Sequence, residues 1–115
     1  MIMRSNLSGL AILAFLLSVL IVAGASVASE LDGEALLREK RCVACHDVSR
    51  TLLGPSYSAI ATRHAAQKDL MVEVLAQKII IGGAGNWGVV PMVPNEHVSL
   101  KEALAMSRWI LSLHR

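Results

Sequence analysis

Polar and apolar positions along this chain of 115 residues follow a helical period in four places, and no segment alternates convincingly as a strand. The first helical stretch is Leu31 to Arg41, where Leu31, Ala35 and Leu36 recur at helical spacing among Asp32, Glu34, Arg38 and Glu39. A short helix covers Tyr57 to His64, and Ala65 to Lys68 is a connection. Asp69 is placed to cap a third helix running to about Ile80, with Leu70, Val74, Leu75, Lys78 and Ile79 as its largely apolar face. The last helix is the clearest. Ser99 and Glu102 can form a capping box, and Leu100, Ala103, Leu104, Ile110 and Leu111 make an apolar stripe behind it. His114 and Arg115 lie at the end where positive charge is favourable. Between these segments, residues 47–56 read as loop broken by Gly54-Pro55, Gly82 to Asn86 must turn, and residues 87–98 are irregular, with Pro91 and Pro94. The pattern is that of an all-α domain with long loops.

A different pattern precedes the helices. Arg4 is followed by an almost unbroken apolar run, Leu7 to Gly24, and then by small residues. Ala23-Gly24-Ala25 and Ser26-Val27-Ala28 are cleavage signals of the AxA type. Residues 1–25 are therefore expected to be a signal peptide, with cleavage after Ala25 or Ala28. The run lies at the short end of what spans a bilayer, so the alternative is a retained anchor. In either case the single domain over residues 29–115 ends up outside the cytoplasm, in the periplasm, and is tied to the membrane only if the leader stays. The leader also inflates the apolar fraction, 54% for the whole chain. Of the 11 Lys and Arg only Arg4 lies in it, so the domain is close to neutral against its 9 Asp and Glu. No basic stripe points to nucleic acid. A domain this small has a marginal apolar core of its own.

The chemistry is concentrated in Cys42-Val43-Ala44-Cys45-His46. CxxCH reads as a covalent attachment site for a c-type haem. Two thiols spaced in this way can each bond a haem vinyl group, and the next residue offers an imidazole to the iron. A thioredoxin-like redox pair would need a βαβ neighbourhood, and a zinc site would need two further ligands. The sequence has no βαβ pattern and no second cysteine pair, and a haem would also supply the apolar volume the domain lacks. His46 is then the proximal iron ligand. Its second ring nitrogen needs an acceptor, and a carbonyl in the Gly54-Pro55 loop is the candidate. For the sixth position the candidates are Met71, Met92, Met106, His64, His97 and His114. Met71 and Met106 fall inside helical patterns and read as core, while the three histidines read as solvated. Met92 lies in Val90-Pro91-Met92-Val93-Pro94, a loop with little freedom, which can hold a thioether with a small entropy loss.

The stretches KRCVACH, LLGPSYSAIATR, QKIIIGGAGNWGVVPMVPN and LKEALAMSRWILSL together resemble the small bacterial class I cytochromes c of the cytochrome c-551/c-552 group. The resemblance covers nearly all of the domain. It implies about four short helices wrapped around one covalently attached haem c, with His46 and Met92 as the axial pair. It implies that Pro55 accepts from the proximal histidine, and that Trp87 donates its indole N–H to a haem propionate. The ring of Trp87 is also large enough to be a core aromatic. Asn95 resembles an asparagine whose amide contacts the methionine sulfur, although it would serve equally as a turn residue after Pro94. Trp109 stands where the last helix packs on the first. Three positions depart from the group. Lys78 stands where an arginine often pairs with a propionate, and it brings charge without the planar fork. Arg41 stands where glycine often precedes the first motif cysteine. Val89 replaces the first proline of the usual Pro-x-Pro-Met.

The function implied is not enzymatic. It is single-electron transfer between periplasmic or membrane redox partners, such as a quinol-oxidising complex on one side and a terminal oxidase or nitrogen-oxide reductase on the other, by a monomer with no nucleic-acid partner. The alternatives are a haem-based small-ligand sensor or catalytic module with a labile sixth ligand, and a cytochrome subunit of a membrane oxidoreductase.

Overall fold

The computed structural model describes residues 29–115. The expected leader, residues 1–25, and its expected cleavage after Ala25 or Ala28 lie outside the described residues. Among the described residues four α-helices follow in order: α1 (Gly33–Glu39), α2 (Tyr57–Arg63), α3 (Lys68–Ile81) and α4 (Leu100–Ser112). Short 3-10 turns at Cys42–Ala44 and Ala65–Gln67 complete the regular structure. Extended pairing among the described residues is limited to two isolated bridges, His46 with Thr51 and Gly83 with Met92.

Local chemistry sets most of the helix ends. Asp32 caps α1 by accepting from the Ala35 N–H at 3.1 Å, and Ser56 caps α2 by accepting from the Ala59 N–H at 3.1 Å. The capping box of α4 is complete. The Glu102 N–H donates to Ser99 Oγ at 3.2 Å and the Ser99 N–H donates to Glu102 Oε2 at 2.9 Å. Asp69 does not cap α3. That helix starts two residues earlier, from Gln67, which gives no side-chain bond, and Asp69 lies in the first turn, where a negative charge suits the free N–H groups. α1 stops at Glu39, short of Arg41, because Arg41 takes a left-handed conformation (φ 65°, ψ 23°) that no helix continues through.

α4 is the centre of the core and packs against α1, α2 and α3. Its buried face is Ala103, Ala105, Met106, Ser107, Ile110 and Leu111. Leu100, expected on this face, is 49% exposed. Gly33 at the start of α1 lets it come close to α4. A Cβ on Gly33 would overlap the Ala105 carbonyl oxygen and lie 2.7 Å from Trp109 Cβ. α1 contributes Leu36 and Leu37, whereas Ala35 is exposed. On α3 the inward face is Ala76 and Ile79, with Leu75 and Ile80 partly covered. Leu70 and Val74, expected inside, are exposed, and with Ile81 they form a second apolar stripe on the opposite side. The α3 sequence carries apolar residues all round, so periodicity alone does not choose a face.

Candidate functional site

The Cys42–His46 segment is wound by its own backbone. The N–H groups of Cys45 and His46 both donate to the Cys42 carbonyl, at 3.1 and 3.0 Å. This places both thiols and the imidazole on one compact turn. Cys42 is half-buried against the core and Cys45 is exposed, and both are free thiols. Burial pushes the Cys42 thiol up, with the neighbouring Cys45 acting in the same direction. A redox-active CxxC pair needs a depressed thiol, and Cys42 is shifted the other way. Among the described residues no group of three or more His, Cys, Asp and Glu is arranged to hold a metal ion by itself.

His46 is held on three sides. Its Nδ1 donates to the Pro55 carbonyl at 2.7 Å, which fixes the tautomer and leaves Nε2 with the free lone pair. Gly54 lies directly beneath the ring. A Cβ there would overlap Cε1 and come within 2.9 Å of both ring nitrogens. Tyr57 stacks on the imidazole with centroids 5.5 Å apart and planes 16° from parallel, and the edge of Trp109 meets Tyr57 at 5.8 Å. The Tyr57 hydroxyl is buried without a partner, and burial pushes its ionisation far up, so it stays neutral. The Gly54-Pro55 loop is itself anchored. The Gly54 N–H donates to the Cys45 carbonyl at 2.8 Å and the Tyr57 N–H to the Asp47 carbonyl at 2.9 Å.

Met92 is pinned to the end of α3. Its N–H donates to the Gly83 carbonyl at 2.8 Å, and the Gly83 N–H returns to the Met92 carbonyl at 2.9 Å. Gly82 makes the approach possible. Its φ is 73°, and a Cβ would come within 2.9 Å of Pro94 N and the Val93 carbonyl carbon. Asn95 clasps the same region. Its backbone N–H donates to the Ile80 carbonyl at 2.9 Å, and Nδ2 donates to the carbonyls of Ile79 at 2.8 Å and Val93 at 3.2 Å. Met92 itself is half-buried against the core. Of the other sixth-position candidates, Met106 is fully buried in the core, Met71, His64 and His114 are half-buried, and His97 is exposed.

Lys78 is exposed on α3 and extends over Gly83, its Nζ 2.9 Å from where a Cβ would stand. Trp87 is 45% exposed, so it is not a core aromatic. It lies under Arg63, whose Cζ is 4.6 Å from the ring centroid. Tyr57 and Arg63 are site components that sequence reasoning missed. Both stand inside the LLGPSYSAIATR stretch, but nothing local assigns either of them a partner, and the Arg63–Trp87 contact joins residues 24 positions apart.

The residues fit a haem held at this turn. Val48, Leu52 and Leu53 near the motif, Leu70, Val74 and Ile81 on α3, and Val89, Val90 and Val93 beside Met92 are all exposed. So much apolar surface in a small domain marks a place where something apolar is bound. A cleft bordered by Val74, Gln77, Lys78, Ile81 and Gly82 combines such surface with a cation suited to a carboxylate.

No family model matches the chain. It is 42% identical over 98 residues to cytochrome c-552 of Hydrogenobacter thermophilus, covering 85% of this chain and 94% of that protein. It is 43% identical over 81 residues to cytochrome c-551 of Pseudomonas aeruginosa, covering 70% and 76%. The crystal structure of wild-type Nitrosomonas europaea cytochrome c552 superposes with a TM-score of 0.66 at 40% identity, covering 70% of this chain and 98% of that one. The class 1 cytochrome MtoD of Sideroxydans lithotrophicus, at a TM-score of 0.58 and 24% identity, shares the fold alone.

Proposed function

This chain belongs to the cytochrome c-551/c-552 group of class I cytochromes c, monohaem electron-transfer proteins, and from that membership we propose that it shuttles single electrons through a haem c ligated by His46 and Met92. Cys42 and Cys45 form the two thioether bonds. The bound haem supplies a one-electron Fe(III)/Fe(II) couple. The observation that carries the reading is the His46–Pro55 hydrogen bond, because it fixes the imidazole with Nε2 as the only free donor. Met92 completes the shell from the loop clamped to Gly83, and a thioether favours the reduced iron and raises the potential. Asn95 steadies Met92 by tying the Val93 carbonyl, just after it, to the Ile79 and Ile80 carbonyls of α3. The contact to the methionine sulfur implied by the resemblance would need one N–H to turn away from the Val93 carbonyl, the longer of its two bonds. Lys78 and Trp87 serve the haem propionates.

The exposed apolar residues around the motif exclude water from the haem. Beside its exposed edge they offer the small, weak docking surface typical of redox encounters. The near-neutral charge gives partners little long-range steering. The partners are redox proteins, proposed to be a quinol-oxidising complex as donor and a terminal oxidase or nitrogen-oxide reductase as acceptor. The protein works as a periplasmic monomer after loss of its leader, and it is not an enzyme.

The test is the absorption spectrum of the oxidised holoprotein and its reaction with carbon monoxide when reduced. A far-red methionine-to-iron band that is lost in Met92→Ala and kept in Met71→Ala and Met106→Ala, with a reduced form inert to carbon monoxide, supports the carrier. A wild type without the band that binds carbon monoxide readily would make it a sensor or catalytic module.

A further inference from the structure

Arg63 ends α2 and holds two neighbouring residues that lie 23 and 24 positions further along the chain. Its Nη1 donates to the Asn86 carbonyl at 2.7 Å, while its guanidinium lies over the Trp87 ring. One side chain thus grips a loop both by its backbone and by a π face. The loop needs an external tie. Gly83, Gly85 and Gly88 all have positive φ (140°, 94° and 117°), and a Cβ on Gly85 or Gly88 would meet nothing within 4 Å. The loop therefore stands clear of the body, closed on itself by a bond from the Gly85 N–H to the Gly88 carbonyl at 3.0 Å. Arginine suits the task, since its plane can stack on an indole while its edge donates a hydrogen bond. A lysine ammonium has no such plane.

We propose that Arg63 is a positioning residue for Trp87. It latches the glycine-rich loop to the end of α2 and so presents the indole N–H to the haem carboxylate in one orientation. The proposal rests on the propionate role given to Trp87 above, and the experiment separates the two.

The holoprotein is compared as wild type, Arg63→Met, Arg63→Lys and Trp87→Phe. Hydrogen exchange at the Trp87 indole and at the Gly85 amide, which is bonded to the Gly88 carbonyl, is read by NMR in the reduced state, together with the midpoint potential. Arg63→Met should speed exchange at these groups about tenfold, from loss of one exposed hydrogen bond and one exposed cation–π contact. Exchange in α4 should be unchanged. The midpoint potential should fall, because a loosened donor and a lost positive charge both favour Fe(III). Arg63→Lys should keep the fast exchange and recover the potential only in part. Unchanged exchange in Arg63→Met overturns the latch. So does an Arg63→Lys protein that matches wild type in both readouts, because charge alone would then account for the residue. If Trp87→Phe keeps the wild-type potential while Arg63→Met still speeds exchange, the propionate role fails, and with it the purpose assigned to the latch. If Trp87→Phe lowers the potential but Arg63→Met exchanges normally, Trp87 keeps its role and Arg63 loses its own.

Discussion

Arg41 is the described non-glycine residue with a positive φ, and it stands immediately before the first motif cysteine. The backbone must reverse there. The Arg41 N–H donates to the Arg38 carbonyl at 3.0 Å, and its own carbonyl accepts from Ala44 at 3.1 Å, so one residue closes α1 and opens the CxxCH turn. A left-handed conformation costs an L-residue about 1–2 kcal/mol. Glycine avoids that cost and gives back about 0.5–1 kcal/mol through its freer unfolded state. Arg41→Gly is therefore expected to stabilise the holoprotein by about 1 kcal/mol, seen as a higher denaturant midpoint with an unchanged slope. A lower midpoint would mean that the arginine side chain contributes more than its backbone strain removes. The glycine usual at this place in related sequences then has a conformational reason. Close helix packing is met elsewhere, at Gly33.

The helices differ in how far they could be read in advance, and the difference follows the range of the forces that define them. The start of α4 was legible because Ser99 and Glu102 settle it within four residues. The face of α3 was not, because Leu70, Val74, Ala76, Ile79 and Ile81 distribute apolar surface around the whole helix and only contact with α4 selects Ala76 and Ile79. Within the site, the His46–Pro55 pair lies inside one loop and was within reach of the sequence, whereas the Arg63–Trp87 contact exists only once α2 and the glycine loop are folded together. Glu102 joins the two ranges. Besides its box with Ser99 it pairs with Lys40 at 3.0 Å, tying the start of α4 to the end of α1 beside the cysteine turn. The Ser99 N–H, and after it Lys40, hold the Glu102 carboxyl below the usual glutamate range. A folded-state pKa below the unfolded one means stability that is fully present above the unfolded value and is lost as pH falls through the folded one. Glu102→Gln keeps an acceptor for Ser99 but not the charge. The stability gap between wild type and Glu102→Gln should be widest near neutrality and close in acid, as measured by denaturant unfolding over a pH series. A gap that is flat with pH would show that the carboxylate charge does not matter there.

For the molecule as a whole, the decisive fact is how its apolar surface is divided. The core around Met106 joins four short helices, yet the outward stripe of α3, Leu52 and Leu53 beside the motif, and Val89, Val90 and Val93 beside Met92 remain outside it. A domain of this size buries a smaller share of its chain surface than a larger one and has little stability to spare. Exposed stripes lower it further by favouring collapsed or associated states over the native one. One covalently bound haem would resolve both problems, since, attached at Cys42 and Cys45 as proposed, it would bring an apolar plate to those stripes. Folding and cofactor attachment should therefore be coupled, with the helices assembling around the haem. Cys42→Ala/Cys45→Ala protein prepared free of haem is expected to lose most of the helical circular dichroism of the holoprotein, to melt without a cooperative transition and to bind hydrophobic dyes. A haem-free double variant with native helix content and a sharp transition would show that the α4 core suffices alone, and the exposed stripes would then be docking surface rather than unfinished core.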